Sequence, residues 1–163
     1  MRSLILFILS FIQTFNIMAQ KEIKTSIEIE ASPEIIWQTL LNFDAYPSWN
    51  PFITKIEGAP KVGSKLNIIA GGMGFKPTVL IHDENKEFRW LGKLLFKGLF
   101  DGEHIFQIID NHDGSCTFKH EEKFKGLLIG LFSKKLDHET KPGFEAMNLK
   151  LKELSEKRMT INK

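Results

Sequence analysis

The stretch Gly98–Gly126, GLFDGEHIFQIIDNHDGSCTFKHEEKFKG, constrains the chain most. It reads as two long antiparallel strands joined at the turn signal Asn111-His112-Asp113-Gly114-Ser115. Period-2 alternation places His104, Phe106 and Ile108 on one face of the first strand, and Cys116, Phe118, His120, Glu122 and Phe124 on one face of the second. A half-exposed sheet of the ordinary kind buries apolar residues alone. A face that mixes large aromatics with titratable groups predicts the lining of an internal pocket for a mostly apolar molecule.

With 163 residues the chain suits one domain, large enough to bury roughly two-thirds of the surface its unfolded form exposes. It is 42% hydrophobic and 26% charged, as a folded globular domain should be, and its 14 Phe residues suit a large core or cavity. The net charge of +2 supplies no field that would recruit phosphate backbones, which excludes nucleic acid as an expected partner. The lone cysteine, Cys116, cannot form an intrachain disulfide and reads as a small core hydrophobe. Gly71-Gly72-Met73-Gly74 lacks a following Gly-Lys-Ser/Thr, so it reads as a flexible hairpin loop at a cavity mouth and not as a phosphate cradle. Of five histidines only His104 and His120 can converge with a carboxylate, Glu122, and no Cys/His ligand spacing accompanies them. Neither a metal nor a cofactor is expected.

Met1–Gln20 has the layout of a signal peptide: Arg2, the apolar run Leu4–Ile12, and the small residue Ala19 near the end. Gln13, Thr14 and Asn16 interrupt the run well short of the ~20 residues that would span a bilayer. The expectation is export; the alternative is a cytoplasmic domain that starts at Met18.

A strand follows at Glu22–Glu30, with Ile23, Thr25, Ile27 and Ile29 on one face. Ser32-Pro33-Glu34 then predicts a helix start, with Ser32 as cap, Pro33 in the first turn and an apolar stripe of Ile36, Trp37, Leu40 and Leu41. A break near Asn42–Asp44 leads to a short second helix. Pro47 and Pro51 predict irregular backbone around Trp49. Strands are predicted at Phe52–Glu57, Ser64–Ala70, Lys76–His82 and Glu87–Leu91, ahead of the long hairpin. His82 is expected to be exposed. Beyond an apolar lead-in at Leu127–Phe132, Phe144, Met147, Leu151 and Leu154 recur at helical spacing to near Arg158, with Pro142 set to kink or start that helix. The domain should therefore span residues 21–158, with 159–163 a frayed tail.

This order, with Ser32-Pro33-Glu34-Ile35-Ile36-Trp37, Phe43–Phe52, Arg89-Trp90-Leu91-Gly92, Phe100–His104, Glu122–Gly126 and Gly143–Asn148, resembles the START-like or SRPBCC superfamily of polyketide cyclase/dehydrase and lipid-transport proteins. The resemblance implies an α+β helix-grip fold: a curved antiparallel sheet of about seven strands wrapped around a long C-terminal helix, with two short helices after the first strand. It also implies an apolar cavity for a hydrophobic small molecule or lipid.

The ligand-binding candidates are Trp49, Phe75, Trp90, His104, Phe106, Phe118, His120, Glu122, Phe124, Phe144 and Met147. A non-catalytic carrier or sensor is expected. The alternative is a cyclase-like enzyme using His104 or His120 with Glu122 as an acid–base pair. A further alternative is a protein-binding module of the chaperone-activating type, using the outer sheet face. Leu127–Phe132, adjoining Lys134 and Lys135, would also suit transient membrane contact.

Overall fold

The computed structural model describes residues 19–161. Of the expected signal peptide, all but Ala19 and Gln20 lie outside the described residues. The first strand, β1 (Gln20–Ile29), buries Ile23 and Ile29 and exposes Glu22, Lys24 and Glu28, as its alternation requires. Helix α1 (Pro33–Leu40) follows, with Pro33 and Glu34 in its first turn and Ile36, Trp37 and Leu40 buried. Ser32 holds the N-cap position in extended backbone, but its hydroxyl makes no capping bond; its carbonyl accepts from Ile35 and Ile36 instead. A single 3-10 turn (Phe43–Ala45) leads into α2 (Tyr46–Trp49). The prolines thus do not break this segment where expected. Pro47 sits in the first helical turn, where a missing N–H costs nothing, and irregular backbone begins only at Asn50.

Seven further strands follow: β2 (Ile53–Glu57), β3 (Asn67–Ala70), β4 (Met73–Phe75), β5 (Thr78–Asp83), β6 (Glu87–Lys93), β7 (Asp101–Asp110) and β8 (Cys116–Lys125). They form not one sheet of about seven strands but two sheets: β1-β8-β7-β6-β5 and β2-β3-β4. The bridge Lys65↔Thr78 and the bond from Leu66 N–H to the Pro77 carbonyl link them into one curved surface. Gly71-Gly72-Met73-Gly74 is likewise not a flexible loop. Gly71 and Gly72, both at positive φ, make the turn, and Met73 and Gly74 already pair with β3.

The β7–β8 hairpin closes as its turn residues predict. Asp113 Oδ1 accepts from the backbone N–H and the hydroxyl of Ser115, and His112 takes a left-handed φ of 61°. This turn sets the register that matters later: His104 lies opposite Glu122, Phe106 opposite His120 and Ile108 opposite Phe118. His82 is exposed at the end of β5.

After β8 the chain is helical almost without interruption. Helix α3 (Ile129–Lys135) passes through one π-turn (Leu136–Thr140) into α4 (Lys141–Ile161). Pro142 falls in the first turn of α4, directly after the π-turn. The helix runs on to Ile161, so Met159–Ile161 are part of it and not a frayed end. Phe144, Met147 and Leu151 are fully buried against the sheet, and Leu154 is half-buried. Asn148 and Ser155 interrupt that buried stripe. Most of the core forms one cluster around Trp37, Phe88, Phe106, Phe118 and Leu151; a smaller one joins Ile23, Phe124, Ile129, Leu136 and Phe144. The functional candidates lie where the two meet.

Candidate functional site

A cavity of about 90 Å³ opens between the small sheet, the distal ends of β6–β8 and the α3–α4 junction. Its wall is formed chiefly by Phe52, Ile68, Met73, Phe75, Trp90 and Phe124, with Gly102, His104 and Glu122 on one side. Lys93, Lys135 and Glu139 also border it. Typical sites for drug-sized ligands enclose roughly 300–1,000 Å³. The space here suits a molecule of about one ring.

Of the residues picked from the sequence, Phe75, Trp90, His104, Glu122 and Phe124 come together on this wall. Phe106, Phe118, His120, Phe144 and Met147 do not; they fill the interior behind it. His120 stacks on Phe144 with ring centroids 3.7 Å apart, and Phe106 stacks on Phe118 at 5.9 Å. Contacts this close leave no room for a ligand, because aromatic pairs reach their best packing at such separations. Trp49 does not line the cavity; it packs against Tyr46 with ring centroids 5.0 Å apart. Cys116 is fully buried, its thiol 3.3 Å from the Ala31 carbonyl, and burial pushes it up to about 11. Such a buried, raised thiol reads as a core group.

The polar groups form a chain inward from the cavity. Glu122 Oε2 lies 3.3 Å from His104 Nδ1, His104 Nε2 lies 2.8 Å from His120 Nε2, and His120 Nδ1 lies 2.9 Å from Asn148 Oδ1. Asn148 Nδ2 donates to Thr25 Oγ1 at 2.9 Å, and Thr25 in turn donates to the His120 carbonyl at 2.9 Å. The register of the hairpin positions the first two groups, and one turn of α4 after Phe144 positions Asn148. His104 also stacks on Trp90 at 4.6 Å. Gly102, opposite Phe124, leaves space for the acid: a Cβ there would stand 2.6 Å from Glu122 Oε1.

Burial governs the charge states. It drives His104 down to about 3 and His120 well below its ordinary value, the latter helped by the neighbouring His104. Glu122, whose side chain keeps 17% of its exposure, is pushed by burial up to about 8. Burial thus favours the uncharged form of all three groups. His120 has both ring nitrogens hydrogen-bonded, whereas His104 is hydrogen-bonded through Nε2 alone and turns Nδ1 towards Glu122. Among the described residues no three His, Cys, Asp or Glu side chains are grouped to hold a metal.

Asn148 and Thr25 are site residues that sequence reasoning does not single out. The available signal for Asn148 is an amide four residues after Phe144 and three ahead of Leu151, squarely on an apolar stripe. Thr25 is legible as inward-facing, but its partner depends on how α4 crosses β1.

Several solved structures share this architecture. A point mutant of norcoclaurine synthase from Thalictrum flavum, in complex with a transition-state analogue, is similar with a TM-score of 0.68 and 15% identity, covering 86% of this chain and 97% of that one. A START superfamily protein from Mycobacterium smegmatis gives 0.59 and 22%, covering 87% and 99%. The di-domain ARO/CYC StfQ from the steffimycin biosynthetic pathway gives 0.69 and 10%, covering 85% of this chain and 52% of its own. At these identities the likeness establishes the fold. Comparison with curated protein sequences finds no match. The profile described as polyketide cyclase / dehydrase and lipid transport matches residues 20–156. With that match over nearly all of the described domain, the chain belongs to the polyketide cyclase/dehydrase and lipid-transport family, within the START-like superfamily.

Proposed function

We propose that the protein binds a small apolar molecule in the cavity beside Glu122 and acts as a non-catalytic carrier or sensor. The observation that carries this reading is the wall itself: aromatic and aliphatic groups surround Glu122, whose protonated form burial favours, and the charged Lys93, Lys135 and Glu139 stand at the border. Burying apolar ligand surface there contributes about 25 cal/mol per Å². Exposed Leu95, Phe96, Leu127 and Leu131 lie on the β6–β7 loop and the α3 segment next to Lys134, and backbone bonds from Leu127 and Leu128 to Gly98 and Leu99 tie the two segments together. That arrangement suits uptake at an anionic lipid surface.

Mass spectrometry of organic extracts from the purified protein is expected to find an apolar molecule of about one ring, and co-sedimentation with anionic vesicles to exceed that with neutral ones. If no apolar molecule co-purifies and none can be loaded, the reading is wrong.

One observation favours a second reading. An acid held at about 8 beside a cavity has the proton affinity of a general acid at neutral pH. Norcoclaurine synthase and StfQ, whose folds this chain shares, are an enzyme and an ARO/CYC of a biosynthetic pathway. In a cyclase of this kind Glu122 would deliver the proton, and His104 would orient it without acting as base. Turnover of a cyclisable substrate that Glu122→Gln abolishes would establish that role; turnover that survives the change would exclude it.

A further inference from the structure

The cavity adjoins a second concavity. A groove of about 470 Å³ lies between the small sheet and the end of β6, and it shares Ile68, Phe75, Lys93 and Leu94 with the cavity wall. Lys55, Lys76 and Lys93 border this groove, and no acid does. Register brings them together. Lys55 pairs with Ile69 and Ile69 with Gly74, Lys76 follows two residues after Gly74, and Lys93 ends β6. Over the whole chain 22 basic side chains nearly balance 20 acidic ones, so three ammonium groups on one groove are a local excess of positive charge.

The acids beside these lysines are engaged elsewhere. Glu57 pairs with Lys55 at 3.0 Å, and Asp101, opposite Lys93 on β7, accepts from the Gly98 N–H at 3.0 Å. Among the described residues neither Lys76 nor Lys93 has a carboxylate partner. The two sides of the cavity border therefore differ. On the α3–α4 side Lys135 and Glu139 stand 3.6 Å apart and offset each other, whereas on the β6 side Lys93 is uncompensated and leads to Lys76. Between cavity and lysines the surface stays apolar, with Phe75 and Leu94 shared by both spaces and Ile69 and Leu95 exposed in the groove.

We propose that the cavity and the groove form one two-part site for an amphiphilic acid, with an apolar ring in the cavity and an anionic group between Lys76 and Lys93. A short apolar arm joins the two across Phe75 and Leu94. This rests on the cavity being a ligand site and goes further, to the charge of the ligand and the place where that charge lies. The ring supplies apolar burial, and the lysines supply the direction in which the ligand points.

The test uses the intact protein and isothermal titration with phenylalkanoates of increasing arm length, beside phenylalkanols of the same lengths, which keep ring and arm and lose the charge. At the length that reaches the lysines the acid should bind about tenfold more tightly than its alcohol, the factor that two part-exposed ion pairs supply. High salt should shrink that advantage by screening it. Both lysines are exposed, so the double change Lys76→Gln, Lys93→Gln leaves the core untouched and should abolish the advantage. Lys61→Gln removes a charge outside the groove and should preserve it. Equal binding of acid and alcohol at every length overturns this inference while leaving the apolar site intact. An acid preference that survives the double change, or that Lys61→Gln weakens as much, also overturns it. Failure of both series to bind overturns the inference and the reading beneath it.

Discussion

Replacing His120 with alanine should lower the unfolding free energy by about 4 kcal/mol, the largest effect expected of any single change at the site. The ring is fully buried, stacks on Phe144 at 3.7 Å, and holds one bond to His104 and another to Asn148. Truncation opens a ring-sized void and strands two polar groups away from water, and each penalty is of order 1–3 kcal/mol. For a domain of this size the melting temperature should fall by roughly 10 °C. His120→Phe refills the void while leaving the polar groups unpaired, so it should recover about half of the loss. Denaturant melts of both variants check this. A cost below about 1 kcal/mol for alanine would mean that the polar chain contributes little to the folded state.

Stability should peak near pH 6.5 and fall on both sides. His104 is lowered from 6.5 to about 3 and His120 well below 6.5, so the folded chain refuses protons that the unfolded chain accepts. Their contribution is whole above pH 6.5 and is lost as pH drops towards 3. Glu122 is raised from 4.5 to about 8, so the folded chain keeps a proton that the unfolded chain releases. Its contribution is whole below pH 4.5 and is lost as pH climbs through 8. Between 4.5 and 6.5 two histidine protons outweigh one carboxyl proton, and stability still rises with pH. Above 6.5 only the acid titrates differently in the two states, and about 1–2 kcal/mol should be lost by pH 8. Glu122→Gln, which cannot ionise, should flatten that alkaline limb. Urea melts at half-unit intervals of pH measure it directly, and a wild-type profile flat from 6.5 to 8 would show that Glu122 is an ordinary carboxylate.

The same residues show how far the chain can be read from its letters. Period-2 alternation and the Asn111–Ser115 turn put His104, His120 and Glu122 on one face, because register follows once the turn is known. Alternation does not say how far along a strand the cavity lies. By alternation alone His120 and Phe118 are equivalent to Glu122 and Phe124, although the former pair is packed inside the core and the latter pair lines the cavity. The filling of the interior depends on where Phe144 meets His120 in space, which no periodicity encodes. The division into two sheets is hidden for a related reason: the strand pattern around Lys65 and Lys76–Pro77 continues past the point where curvature reduces pairing to a bridge. The tightness around Phe52 is equally invisible in the pattern. A Cβ on Gly143 would collide with its ring, so that glycine lets the start of α4 close over the cavity wall.

A crystal structure of the protein with phenol bound tests the central claim most directly. The ring is expected between Trp90, Phe75 and Phe124, beside Glu122, with the His104–His120–Asn148 chain undisturbed. Phenol bound elsewhere on the molecule, with the cavity closed or filled by rearranged side chains, would contradict it.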